Sequence, residues 1–285
     1  MRIGVNVPNF GPGAEPDVLL RWARIVEGLD LDLLMLSDHL AITPDVAEQY
    51  PAPFAEPFTT LAWLAGHTSR VRLGTTVLVM PYRHPLLTAR VAANLNRLSG
   101  GRLVLGVGIG WARQEFQALG VDFRRRGALT DEYLHAVREA WRDEDDYRGS
   151  GVPIWVGGNS DAGIRRAVRF SAPWHPLRFR PTWLDSALVR LKEAADSAGS
   201  AVPGLVPRIA LRLLESPLPD SERLTGEGTL DQVLGDMERL RVLGADTVVF
   251  DPYDGDPMGT GDPGTAWRDL ATVTAAWRRT TEESR

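Results

Sequence analysis

Val71-Arg72-Leu73-Gly74-Thr75-Thr76-Val77-Leu78-Val79-Met80 opens a segment that closes, one amphipathic stretch later, on Leu103-Val104-Leu105-Gly106-Val107-Gly108-Ile109. Both runs are almost wholly apolar, as strands are when a parallel sheet buries both of their faces. Between them Pro85 occupies a first helical position and Gly100-Gly101 an exit. This predicts a helix with Leu87, Val91, Leu95 and Leu98 turned inward. Strand, helix and parallel strand form one βαβ unit.

The alternation continues in both directions. Upstream lie a strand at Ile3–Val7, a helix over Asp17–Leu29 with Val18, Trp22, Ile25, Val26 and Leu29 on one face, a strand at Leu33–Leu36 and a helix over Phe58–His67. Downstream come a helix over Asp131–Trp141, a strand at Ile154–Val156 and a helix over Asp161–Phe170. Strands at Trp174–Leu177, Arg208–Leu214 and Thr247–Phe250 then alternate with helices over Thr182–Ala198, Leu230–Leu243 and Thr265–Trp277. Eight strand–helix pairs with no break in composition predict an α/β fold of the (β/α)8 TIM-barrel type, one domain over residues 1–285. The Gly- and Pro-rich stretch Asp251–Gly264 follows the eighth strand and reads as a mobile acidic βα-loop rather than a hinge.

Composition narrows the chemistry. The chain of 285 residues carries a net charge of −5, which argues against affinity built on phosphate neutralisation along nucleic acid. Of its 32 basic residues only Lys192 is lysine, a bias of coding composition rather than of function. Absence of cysteine removes disulfides, thiolate nucleophiles, Fe–S clusters and Cys-ligated zinc. No apolar run approaches the ~20 residues that span a bilayer, and a strand rather than a leader opens the chain, so a cytoplasmic protein without membrane partners is expected.

In such a barrel the active site forms at the C-terminal ends of the strands. The residues there are Asn6 and Asn9, Ser37-Asp38-His39, Thr75 to Met80, Gly108 to Trp111, Gly157 to Asp161, Trp174-His175, Arg212 and Asp251 to Tyr253. Asp38-His39 is the candidate for proton transfer: the imidazole titrates near neutrality and a nearby carboxylate can hold its tautomer, the alternative being a capping or packing histidine. His84 and His175, each beside a proline, read as structural. Gly157-Gly158-Asn159-Ser160-Asp161 suits either a phosphate cradle or a tight turn capped by Ser160 or Asn159. Gly106-Val107-Gly108-Ile109-Gly110 lacks the GxGxxG pattern, so its glycines either admit a flat ring or pack closely within the barrel. Arg124-Arg125-Arg126 reads as a solvated run, and the aspartates after the eighth strand lack the EF-hand spacing, so no metal is expected.

Taken in order, several segments resemble the bacterial luciferase-like flavin and deazaflavin oxidoreductase superfamily, and within it the coenzyme F420-dependent branch. They are Val5–Pro12, Ser37–Leu40, Arg72–Leu78, Pro81–Pro85, Leu98–Arg102, Leu105–Trp111, Ile154–Ser160 and Trp174–Pro176, covering most of the first ~180 residues and specific in combination. The resemblance implies a barrel that binds a flavin or deazaflavin ring at its C-terminal mouth. It implies that Asp38 and His39 meet the ring region, with His39 exchanging the proton. It also implies a cis peptide between Thr76 and Val77 behind the ring, with Val79 alongside. Ile109 and Gly110 then line the pocket, and Gly157, Gly158, Ser160 and Asp161 hold the cofactor phosphate.

Two departures stand out. Trp111 replaces the glutamate that follows the strand-four glycines in sugar-phosphate dehydrogenases of the branch, so that substrate is not expected. The segment Arg142–Val152 before the fifth strand is a shortened insertion, which leaves one wall of the pocket absent or supplied by a second subunit. The reading that follows is an F420-dependent oxidoreductase acting on a small organic substrate, and a homodimer by analogy. Its alternatives are an FMN-dependent monooxygenase using reduced flavin and dioxygen, and a barrel that binds the ring without turnover.

Overall fold

The structure, a computed structural model, describes residues 1–143 and 151–283. Eight strands form one parallel sheet: β1 (Arg2–Val7), β2 (Leu33–Leu36), β3 (Arg72–Val79), β4 (Leu103–Gly108), β5 (Ile154–Gly157), β6 (Trp174–His175), β7 (Arg208–Ala210) and β10 (Thr247–Asp251). The order β6-β5-β4-β3-β2-β1-β10-β7 leaves β6 and β7 at its ends. The bridges Trp174↔Leu205 and Leu177↔Arg208 bring those ends together, so the sheet curls into a nearly closed TIM barrel with helices on its outside.

Alternation within one strand explains the unbroken apolar runs. Leu33 and Met35 of β2 join Val104, Trp155, Val206 and Val249 in a plug inside the barrel. Leu34 and Leu36 point the other way, into the layer between strands and helices, with Val18, Trp22 and Val26 of α1 (Pro16–Gly28). Successive side chains of a strand face opposite sides, so a sheet covered on both faces needs apolar residues at every position.

The helix between β3 and β4 is rotated from its expected setting. Helix α4 (Pro85–Leu98) turns Thr88, Ala89, Ala92, Ala93, Leu95 and Asn96 inward, while Leu87 and Leu98 are 53% and 67% exposed. Small residues face inward because α4 lies close against the barrel and against α6 (Arg126–Asp143), whose Trp141 Nε1 donates to the Ala89 carbonyl at 2.9 Å. Ile25 of α1 and Leu29 just past its end are likewise only half-buried. The Ser99-Gly100-Gly101-Arg102 turn is structural: the Arg102 guanidinium donates to the carbonyls of Ser99, Val71, Ala65 and Thr68 and to Thr68 Oγ1, tying three elements at the barrel's N-terminal end.

The expected strand Arg208–Leu214 is divided. Only β7 joins the barrel; β8 (Arg212–Leu213) leaves it to pair with β9 (Glu227–Gly228). The division follows from a backbone crossing, because Gly226 passes so near Ala210 that a Cβ there would sit 2.0 Å from the Ala210 carbonyl oxygen. The loop after β10 is anchored rather than free, since Thr260 Oγ1 accepts from Gly13 N at 2.9 Å. Its Asp254 and Asp256 accept from the amides of Asp256 and Met258. Most of the segment Arg142–Val152 lies outside the described residues.

Candidate active site

Strand β3 leaves regular geometry where it reaches the mouth. The Thr76–Val77 bond is cis, where the resemblance placed one, and the register against β4 shifts between Thr75 and Leu78. The neighbouring glycines form its mould. A Cβ on Gly106 would lie 2.1 Å from the Thr75 carbonyl oxygen, and Cβ atoms on Gly108 and Gly157 would fall 2.4 and 2.7 Å from the Val77 methyls. Of the two uses open to the strand-four glycines, close packing therefore accounts for Gly106 and Gly108.

Polar groups fix the bulge from below. The Thr76 carbonyl accepts from Arg208 Nη1 at 2.8 Å, and Thr76 Oγ1 pairs with His175 Nε2 at 2.8 Å. His175 Nδ1 meets the Val206 carbonyl, which only accepts, so the proton sits on Nδ1 and Nε2 receives the Thr76 hydroxyl. Burial, opposed by the Val206 bond and aided by Arg208, pulls His175 down to about 4. It is a neutral scaffold residue.

His39 has a different partner from the one its sequence neighbour suggests. In extended chain successive side chains diverge. Asp38 accordingly turns to Arg83, which it meets twice at 2.8 Å, and to Val79 N at 2.8 Å, leaving its carboxylate no bond to His39. The His39 Nδ1 partner is Glu115 Oε2 at 2.6 Å, from the short helix α5 (Arg113–Ala118). Glu115 is fully buried and accepts from Leu40 N at 2.6 Å, Ala41 N at 3.1 Å and Tyr82 Oη at 2.8 Å. Burial alone would raise this carboxyl, but His39 and the two amides hold it below the ordinary value. An ionised carboxylate only accepts, so Nδ1 carries a proton and Nε2 is the ring nitrogen that Glu115 leaves unengaged. No spacing in the sequence marks Glu115, which with Phe116 forms the buried face of a six-residue helix.

The opposite wall is cationic. Asp251, buried at the end of β10, receives Arg208 Nη2 at 2.7 Å, Arg208 Nε at 3.1 Å, Arg178 Nη1 at 3.3 Å and Asn6 Nδ2 at 3.2 Å. Burial would raise its carboxyl, yet the two guanidinium groups bring it below the usual value. Arg208 reaches the cavity, whereas Arg212, one of the candidates on the expected strand, is exposed on β8.

Between the walls lies a cavity of about 250 Å³. Asp38, His39, Thr76, Val77, Val79, Ile109, Gly110, Gly157 and Gly158 all line it. Ser160 and Asp161 do not. Ser160 Oγ accepts from Gly163 N at 3.2 Å as the N-cap of α7 (Asp161–Arg169), and Asp161 pairs with Arg190 at 3.0 Å. Asn159 is also committed, binding both backbone groups of Leu177 at 2.7 and 2.9 Å. Tyr50, Phe54 and Trp111 complete the mouth, with ring centroids 5.5, 5.2 and 5.6 Å from that of His39. Tyr50 and Phe54 lie on a loop with no strand to announce them. Apolar walls, bare glycine backbone and polar groups at two edges fit a planar heteroaromatic ring; the cavity is the size of a ring rather than of a whole dinucleotide ligand.

The barrel and its mouth define a class, and the sequence agrees: residues 1–225 match the luciferase-like monooxygenase family, to which the chain belongs. Among relatives, an uncharacterised protein of Mycobacterium tuberculosis is 31% identical over 211 residues, 68% of this chain and 72% of that one. The phthiodiolone/phenolphthiodiolone dimycocerosates ketoreductase of the same organism is 29% identical over 230 residues, 73% of this chain and 59% of that one. An F420-dependent secondary alcohol dehydrogenase holding an F420–acetone adduct superposes with a TM-score of 0.74 at 17% identity, covering 97% of this chain and 98% of that one. The FMN-bound oxygenating constituent of 3,6-diketocamphane monooxygenase from Pseudomonas putida gives 0.74 at 16% identity and 96% coverage of both. Among the described residues no helix is long and apolar enough to cross a membrane.

Proposed function

We propose that this protein is an oxidoreductase that passes a hydride between coenzyme F420 and a small organic substrate. The observation that carries the reading is the His39–Glu115 pair set in the wall of a ring-sized cavity. When bound, the ring supplies the site that gives or takes the hydride. Val77, Val79 and Ile109 offer it apolar contact, Gly110 and Gly158 offer bare backbone, and the bulge of β3 backs it. Thr76 and the glycines around Val77 hold that bulge in place.

His39 handles the proton. With Nδ1 tied to Glu115, Nε2 accepts a proton from a substrate hydroxyl as hydride leaves the adjacent carbon, or returns one to a carbonyl in the reverse direction. Glu115 stabilises the imidazolium formed on the way. Tyr50, Phe54 and Trp111 screen this chemistry from water. A ketoreductase relative and an F420-dependent secondary alcohol dehydrogenase among the neighbours support an alcohol–carbonyl pair as the substrate class. The FMN-bound monooxygenase neighbour keeps a second reading in view, in which reduced FMN and dioxygen occupy the same cavity. The reading also takes the protein to be a cytoplasmic homodimer; the exposed Leu87 and Leu98, on one face of α4, support the dimer.

A fluorescence titration with F420 and with FMN tests the proposal. Saturable binding of F420 is expected; FMN alone selects the monooxygenase, and binding of neither removes both enzyme readings.

A further inference from the structure

One Asp251 carboxylate serves two arginines, Arg208 through Nη2 at 2.7 Å and Nε at 3.1 Å and Arg178 through Nη1 at 3.3 Å, while Arg208 Nη1 also donates to the Thr76 carbonyl at 2.8 Å. Arg178 has one further bond, from Nη1 to the Tyr253 carbonyl at 2.9 Å, which carries no compensating charge. Two cations on one anion leave a surplus of one positive charge. Both arginines line the cavity. Of the other charges nearby, exposed Asp254 and Asp256 beside Tyr253 line a separate cavity, while on the far wall Asp38 and Glu56 share Arg83 and Glu115 lies behind His39. The cavity is thus polarised, negative behind His39 and positive at Arg178 and Arg208.

The backbone shows that Arg178 is held at this position. Its φ of +46° lies in the left-handed region that a non-glycine residue rarely adopts. Two neighbours enforce it. Asn159 clamps Leu177 through both backbone groups, and Arg178 N donates to the Arg208 carbonyl at 3.0 Å. Arg208 is buried, but the Arg178 side chain remains about one third exposed, so it is the part of the pair that a ligand can reach.

We infer that Arg178, with its charge left over by Asp251, is a positioning and redox-tuning residue that favours the hydride-loaded, anionic state of the bound ring. The inference rests on the oxidoreductase reading. Uptake of a hydride would add two electrons and one hydrogen nucleus to the ring, and with them one unit of negative charge beyond whatever the oxidised ring carries. The substrate alcohol loses that hydride from carbon and its hydroxyl proton to His39, and becomes the carbonyl. A cation at the opposite wall lowers the energy of that added charge without taking the proton itself.

The test measures dissociation constants of oxidised and reduced F420 for wild type, Arg178→Gln and Arg178→Lys, with the same pair of FMN forms as a parallel arm. Arg178→Gln is expected to weaken the reduced form about tenfold more than the oxidised one. That ratio corresponds to a fall of about 30 mV in the midpoint potential of the bound two-electron couple. Arg178→Lys should restore most of the difference, which a merely structural role for the arginine would not do. Equal weakening of both forms by Arg178→Gln, or no recovery in Arg178→Lys, overturns the inference and leaves the oxidoreductase reading standing. If wild type binds no form of either ring, both fall together.

Discussion

A histidine whose Nδ1 is bound to a buried carboxylate has one nitrogen left for chemistry, and here that ring lines a cavity. Glu115 has four partners for two oxygens, so its charge is integral to the site. Because its carboxyl is held below the usual range, the ion contributes stability above the ordinary carboxylate value and loses that contribution as pH falls through the lowered one. Glu115→Gln is therefore expected to be less stable than wild type by about 1–3 kcal/mol near neutrality, with the gap narrowing on acidification, as urea unfolding would show. Equal losses at neutral and acidic pH would remove the charge from the account. Positions at or just beyond the ends of apolar runs, such as His39, Val79 and Gly157, are readable as a group because barrel strands end at one mouth. Glu115 is not: it reaches the site from a helix, and no pattern of spacing links it to a histidine 76 residues earlier.

At the scale of elements, the strands speak more clearly than the helix faces. Unbroken apolar runs mark strands buried on both sides, and β1 to β5 lie where those runs place them, within a few residues. Helix α4 shows the limit of the same logic. Its large apolar residues suggested the inward face, yet the close packing of helix on barrel selects alanine and threonine there. Strand β3 and its glycines show a constraint of another kind, since the need for glycine at position 106 arises from the carbonyl of the strand beside it. Gly106→Ala, with its methyl 2.1 Å from that backbone oxygen, should cost at least the ~1–3 kcal/mol typical of overpacking. A denaturation midpoint within error of wild type would show that β3 and β4 can separate without penalty.

The whole molecule is legible as an alternation and illegible as a closure. Eight strand–helix units imply a barrel, but its seam runs through isolated bridges at Trp174, Leu177, Leu205 and Arg208 that no sequence periodicity announces. The division of the expected seventh strand has the same origin in a crossing of backbones. Two predictions belong to this scale. His175, buried beneath the mouth, binds its proton near 4 in the fold against 6.5 in the ordinary state. The unfolded chain therefore takes up that proton first, and stability should fall by about 3 kcal/mol as pH drops from about 6.5 to about 4. A urea midpoint unchanged over that interval would contradict this, and His175→Gln should flatten it. The second concerns the proposed dimer: light scattering should report a dimer, shifted toward monomer by Leu87→Glu with Leu98→Glu, and a wild-type monomer would exclude it.

The most direct test of the proposed chemistry is a single-turnover measurement of hydride transfer between bound F420 and a secondary alcohol, followed by absorbance in wild type and His39→Ala. If His39 exchanges the coupled proton, the rate in the variant falls by about 10²–10⁴-fold while F420 affinity stays nearly constant. Equal rates in the two proteins, with F420 bound to both, would contradict that role.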